Sequence, residues 1–186
     1  MNSSKRTGAG RVRIVGGKLR SRLIEVPDRP GLRPTPDRVR ETLFNWLGQE
    51  LQDLACLDLY AGSGALGFET ASRGAVRVVM VDSDHAAVKA LVENRDRLGA
   101  TQVEVVQSGA LTYLARATER FDVVFLDPPF RQNLLPDVLA KLPERLAEGA
   151  RVYVEAPAAI EVPGWRELRR ARAGQVSFQL ITWSAA

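Results

Sequence analysis

Between residues 55 and 155, short apolar runs alternate with amphipathic stretches, and this alternation restricts the possible folds more than any other feature. The runs at 55–60, 76–81, 103–106, 121–126 and 151–155 are rich in Val, Leu and Phe and read as strands. Helical patterns at 65–72, 84–98, 111–117 and 134–146 separate them, the last broken at Pro143. Strands that are apolar nearly throughout are buried on both faces, which is the habit of parallel sheets covered by helices. The chain is therefore expected to be α/β, an open, doubly wound Rossmann-like sheet. Two further runs, 165–172 and 175–183, meet at Ala173-Gly174 and read as an antiparallel closing pair, making seven strands.

The first forty residues differ from the rest. They hold 11 Lys+Arg against 3 Asp+Glu, whereas the remaining 146 hold 15 against 19. A basic arm on a mildly acidic body fits a polyanionic partner. Residues 1–10 lack apolar period and are expected to be a disordered basic tail. Residues 11–15 alternate like a strand, Gly16-Gly17 signals a turn, and 19–26 could return as a hairpin. A proline-rich connection, 27–34, follows. Thr35 is expected to cap a helix with Pro36 at its first position, and Val39, Leu43, Trp46, Leu47 and Leu51 make its apolar stripe. Residues 11–186 thus read as one domain, with a basic hairpin and linker at 11–34 and a catalytic core at 35–186.

Several functions are excluded at this stage. No apolar run has the ~18 residues of a membrane helix, and the basic N-terminus is followed by no apolar segment of a secretory signal. Cys56 has no second cysteine to pair with, which suits a reducing, cytoplasmic setting. With one His and one Cys, neither a metal site nor a histidine-based triad is expected.

The loop Gly62-Ser63-Gly64-Ala65-Leu66-Gly67 follows a strand and opens a helix, and Asp82 closes the next strand. That layout binds dinucleotides, but it also accepts other adenosine-bearing ligands. Asp58, four residues before the loop, separates the two. A carboxylate there would repel a pyrophosphate and would suit the cationic, phosphate-free S-adenosylmethionine. The stretch Asp58-Leu59-Tyr60-Ala61-Gly62-Ser63-Gly64 resembles motif I of class I methyltransferases, with Tyr60 in place of the first glycine.

A strand that ends in Asp127-Pro128-Pro129-Phe130 also has a chemical reading. The amino nitrogen of a base is a poor nucleophile, because its lone pair is delocalised into the ring. A carboxylate and a backbone carbonyl can orient it, here Asp127 and the carbonyl of Pro128. The prolines stiffen the loop and remove competing N–H donors. Phe130 offers a flat face for an extruded base, or else simply joins the core. Asp127 can stabilise the developing positive charge, and either it or water can take the released proton.

The pattern resembles motif IV of amino-methyltransferases. Arg13-Ile14-Val15-Gly16-Gly17, the run Leu32 to Leu47 (Leu-Arg-Pro-Thr-Pro-Asp-Arg-Val-Arg-Glu-Thr-Leu-Phe-Asn-Trp-Leu), Asp58 to Gly67 and Val124 to Phe130 resemble, in matching order, the RsmD family. Its members methylate the N2 amino group of a guanine in small-subunit ribosomal RNA. The resemblance implies that Asp58, Tyr60, Ala61, Gly62, Ser63, Gly64, Asp82 and Ser83 hold S-adenosylmethionine, leaving S-adenosylhomocysteine as product. It implies the same of Arg38 and of Ser108, Gly109 and Ala110, where Ser108-Gly109 replaces the family's usual Asn/Asp-Ala near the adenine. Asp127, Pro128, Pro129 and Phe130 would hold the guanine. Arg33, Thr35, Asp37, Arg38 and Arg40 belong to a signature placed beside cofactor and RNA. Arg11, Arg13, Lys18, Arg20, Arg22 and Arg33 would bind RNA. The implied substrate is small-subunit RNA with bound ribosomal proteins, the implied enzyme a cytoplasmic monomer using neither metal nor membrane. A DNA adenine-N6 or cytosine-N4 methyltransferase, a non-catalytic ribosome assembly factor and an NAD-dependent oxidoreductase are the rivals.

Overall fold

The computed structural model describes residues 10–27 and 34–184. The expected tail up to residue 9, most of the proline-rich connection and Arg33 lie outside the described residues.

The strand–helix alternation folds into a seven-stranded sheet of order β5-β4-β3-β6-β7-β9-β8. Five of its strands, β3 (Ala55–Asp58), β4 (Arg77–Asp82), β5 (Val103–Gln107), β6 (Phe121–Leu126) and β7 (Leu146–Ala156), run parallel, with β5 at the edge. β8 (Trp165–Ala173) and β9 (Val176–Trp183) close the sheet, with β9 antiparallel to both β7 and β8. Helices α1 (Asp37–Leu47), α2 (Ala65–Ser72), α3 (His85–Leu98), α4 (Ala110–Arg116) and α5 (Leu135–Lys141) cover its faces. Val78, Val123, Phe125 and Tyr153 point to one buried face, and Leu57, Val79, Val124 and Val152 to the other. This two-sided burial is the reason the strands lack polar alternation.

Helix α5 ends at Lys141 and a 3-10 turn, Leu142–Arg145, carries Pro143, so the break falls where the proline requires it. β7 begins earlier than expected. Gly149, at φ 70°, lets a bulged segment pair with β6 before the regular register from Arg151.

Three N-terminal expectations need correction. β1 (Gly10–Arg13) and β2 (Leu23–Val26) do form a two-stranded antiparallel sheet, but the connection is no Gly16-Gly17 turn. Residues 14–22 make a long loop, because Gly16 and Gly17 are committed elsewhere. Glu69 accepts the N–H groups of Val15 and Gly16 at 2.9 and 2.8 Å, and Ser72 accepts those of Lys18 and Leu19. Gly17 has φ 73°, and a Cβ there would lie 1.9 Å from the Ser72 carbonyl oxygen. Second, Thr35 does not cap α1; Pro36 occupies the cap position without a side-chain bond. Thr35 is buried, and its hydroxyl instead lies 3.5 Å from Glu155.

Third, Arg40 is no ligand-facing cation. It is fully buried, bonding Glu69, Asp37 and the Arg13 carbonyl. Glu69, equally buried, also receives two bonds from Arg73. One carboxylate on α2 thus gathers α1, the hairpin loop and its own helix end. A buried acid survives there because four donor groups surround it.

Candidate active site

The sheet changes direction at β3, whose neighbours β4 and β6 are reached by connections on opposite sides. Ligands of open α/β sheets bind beyond the carboxyl ends of the strands at such a point. Here those ends carry acids: Asp58 on β3, Asp82 on β4, Asp127 just after β6 and Glu155 near the end of β7. Registers Asp58↔Phe125 and Leu126↔Val154 place Asp127 next to Glu155, with Asp58 across the adjoining strand pair.

The glycine loop turns sharply between β3 and α2. Gly62 and Gly64 have φ 50° and 79°, the left-handed region that favours glycine. A Cβ on Gly67 would meet Met80 at 2.3 Å, so the third glycine lets α2 lie close on β4. Asp58 accepts the Gly67 N–H at 3.1 Å, and Asp82 accepts those of Gly62 and Asp84 at 2.9 and 2.8 Å. The carboxylates therefore shape the loop as well as face the crevice. The turn tolerates Tyr60, whose hydroxyl is buried without a protein partner among the described residues.

The electrostatics have one sign. Asp58 is 3% exposed; burial pushes its carboxyl up to about 7, against the Gly67 N–H, which favours the anion, while Asp82 adds repulsion. Burial, then Glu155, then Asp58 push Asp127 well above the ordinary carboxylate range. Glu155 is raised by burial too, opposed by hydroxyl donation from Tyr153 at 2.7 Å and from Thr35. No lysine or arginine among the described residues pairs with Asp58, Asp127 or Glu155. Such a crevice is short of positive charge, and a cationic ligand would relieve it.

The other anticipated residues are scattered more widely. Ser63 is buried and accepts the Ala65 N–H, Ala61 donates to the Val81 carbonyl, and Ser83 is exposed just beyond Asp82. Ser108 stands beside Asp82, donating its N–H to the Asp82 carbonyl at 3.0 Å, and its hydroxyl bonds the Gly109 carbonyl. Gly109 and Ala110 follow at the start of α4. Pro128 is buried, Pro129 exposed, and Phe130 is 42% exposed at the crevice mouth, so it does not join the core. Arg38 is exposed on the first turn of α1 with no side-chain partner among the described residues.

The basic hairpin, expected to bind RNA, lies away from the glycine loop. Its loop docks on Ser72 at the C-terminal end of α2, a helix length (~12 Å) from the glycine loop at the N-terminal end. Lys18 and Arg20 are exposed on that far side. Arg22 bonds the Arg97 carbonyl and Arg11 pairs with Glu25, which leaves Arg13, Lys18 and Arg20 as the hairpin's cations without a side-chain partner among the described residues.

Glu155 and Tyr153 were not anticipated. A signal existed: residues 152–155 end an apolar strand in an acid, as Asp58, Asp82 and Asp127 end theirs.

The strand order, the glycine loop and the acids closing neighbouring strands define a class I methyltransferase fold. The family described as Conserved hypothetical protein 95 matches residues 12–182. Ribosomal RNA small subunit methyltransferase D of Escherichia coli K12 is 43% identical over 186 residues, 97% of this chain and 94% of its own. The Haemophilus influenzae protein of the same name is 41% identical, covering 92% and 93%. The solved structure of Escherichia coli yhhF superposes with a TM-score of 0.86 at 40% identity, covering 95% of this chain and 100% of that one. The chain belongs to the family of Ribosomal RNA small subunit methyltransferase D.

Proposed function

We propose that this chain transfers a methyl group from S-adenosylmethionine to the N2 amino group of a guanine in small-subunit ribosomal RNA. Its substrate is the assembled or assembling subunit with bound ribosomal proteins, met in the cytoplasm by a monomeric enzyme. The observation that carries the reading is a half-buried Asp127, backed by the buried Pro128, beside an exposed Phe130 at the rim of an acid-lined crevice.

The residues present fit S-adenosylmethionine. Asp58 and the loop from Tyr60 to Gly64 would hold its cationic end, and the buried, unpartnered Tyr60 hydroxyl supplies a donor there. Asp82 and Ser83 would take the ribose, and Ser108, Gly109 and Ala110 the adenine. When bound, this group supplies an activated methyl on a sulfonium. Asp127 accepts a hydrogen bond from the guanine amino group, and the Pro128 carbonyl accepts the second, turning the lone pair toward the methyl carbon. Phe130 stacks on the base. Asp127 then stabilises positive charge on the nitrogen. Arg13, Lys18 and Arg20 contact phosphates a helix length from the reacting base.

Calorimetric titration tests the cofactor part. S-adenosylmethionine and S-adenosylhomocysteine should bind and NAD should not; NAD binding alone would return the chain to the oxidoreductases.

A further inference from the structure

We infer that Glu155 is a positioning residue for methyl transfer: held as an anion by Tyr153 and Thr35, it makes the adjacent Asp127 a better proton acceptor. The inference rests on the amino-methylation reading.

The geometry carries it. β6 and β7 are parallel with Leu126 opposite Val154, so Asp127 and Glu155 are the next pair on neighbouring strands. Phe125 and Tyr153 share one buried face, and the two acids, two residues further on, continue it. Tyr153 Oη donates to Glu155 Oε1 at 2.7 Å, and Thr35 Oγ1 lies 3.5 Å from the same oxygen. Both bonds favour the ionised carboxylate. Asp127 has no such donor among the described residues. Two neighbouring carboxylates repel each other, so of the two ionised acids the one without donors, Asp127, is the one that takes a proton released beside them. The titratable groups facing the pair are Tyr153 on β7, Asp58 on β3 and Asp127 and Glu155 themselves.

The reaction balances on this basis. As the nitrogen–methyl bond forms, the methyl–sulfur bond breaks and its electron pair goes to sulfur. The nitrogen is left with one proton too many, and Asp127 takes it before passing it to water.

The test is a carbon-13 NMR titration of the Asp127 carboxyl in ligand-free protein, with pH–rate profiles on unmethylated subunits. In Glu155→Gln, which keeps an acceptor for Tyr153, Asp127 should titrate at lower pH. The acid limb of kcat should move the same way, and its plateau should fall roughly tenfold with KM for S-adenosylmethionine unchanged. Tyr153→Phe, which keeps the ring packed on Phe125 and Phe178, should displace both in the same direction. An active wild type whose variants titrate identically would overturn the inference alone. Wild-type silence on subunits would overturn the reading beneath it as well.

A separate observation concerns β8, an edge strand carrying Arg166, Arg169, Arg170 and Arg172, all exposed. Among the described residues only Arg170 of these has a carboxylate partner, Glu167. β8 runs parallel to β7, and Arg172 lies opposite Ser177, which lies opposite Ala156. The row therefore climbs to the same rim as Asp127, about 14 Å away across three strand spacings. Edge strands often carry charge merely to prevent pairing. Here three guanidiniums free of carboxylates among the described residues run up the edge, from Arg166 beside Thr182 through Arg169 beside Leu180 to Arg172 at the catalytic rim, where the hairpin loop is absent. We propose that this edge binds phosphates of the substrate RNA beside the target base. Arg166→Gln/Arg169→Gln/Arg172→Gln should raise KM for subunits about tenfold and reduce the salt slope by about 2, leaving affinity for S-adenosylmethionine intact. The corresponding triple Lys variant should retain the slope. An unchanged slope in the Gln variant would overturn the proposal.

Discussion

Asp58→Asn should stabilise the ligand-free protein at pH 8 while removing its affinity for S-adenosylmethionine. Asp58 is almost completely buried and its carboxyl is raised from 3.8 to about 7, chiefly by burial. The folded chain therefore holds this proton at pH values where the unfolded chain has released it. The stability linked to that proton is fully present below about pH 4 and is lost as pH rises toward 7. At ~1.4 kcal/mol for each tenfold change in proton affinity, the loss is about 4 kcal/mol. In a chain of this size that corresponds to a melting shift on the order of 10 °C. Asparagine cannot ionise, and its carbonyl can still accept the Gly67 N–H. Urea denaturation at pH 5 and pH 8 is the assay. The wild type should lose more stability than the variant across this interval, whatever constant offset the amide introduces. Parallel stability curves for the two proteins would refute the reasoning.

Glu69→Gln should cost about 3–5 kcal/mol in denaturant titration, because it takes from buried Arg40 and Arg73 their shared buried carboxylate and leaves Arg40 only the exposed Asp37. Gly17→Ala should speed amide hydrogen exchange in β1 and β2, since its Cβ collides with the Ser72 carbonyl that anchors the hairpin loop. Asp127→Ala should retain calorimetric affinity for S-adenosylmethionine while losing at least ~100-fold in turnover. Lys18→Ala/Arg20→Ala should weaken subunit binding and flatten its salt dependence in filter-binding assays, with kcat unchanged.

The parallel sheet was legible because each of its strands announces itself locally, by an apolar run bounded by glycine, proline or an acid. The glycine loop and Asp127-Pro128-Pro129-Phe130 were legible for a related reason: their chemistry is contiguous in the chain. What escaped depends on distant partners. Thr35 looks like a helix cap until Glu155, 120 positions away, is found beside it. Arg40 looks like part of a basic RNA surface, yet Glu69 draws it into the core. The hairpin loop was misread as a tight glycine turn because the acceptors that hold it open, Glu69 and Ser72, sit on α2. Glu155 was overlooked because an acid at a strand end has no meaning until the neighbouring strand is known to be β6.

Methyl transfer from labelled S-adenosylmethionine to unmethylated small subunits, followed by nucleoside analysis, tests the central claim most directly. The Asp127→Ala protein, bare ribosomal RNA and DNA run beside it. The account predicts label in N2-methylguanosine on subunits with the wild type and none with the variant. Label in N6-methyladenine or N4-methylcytosine on DNA, or no label on any substrate, would contradict it.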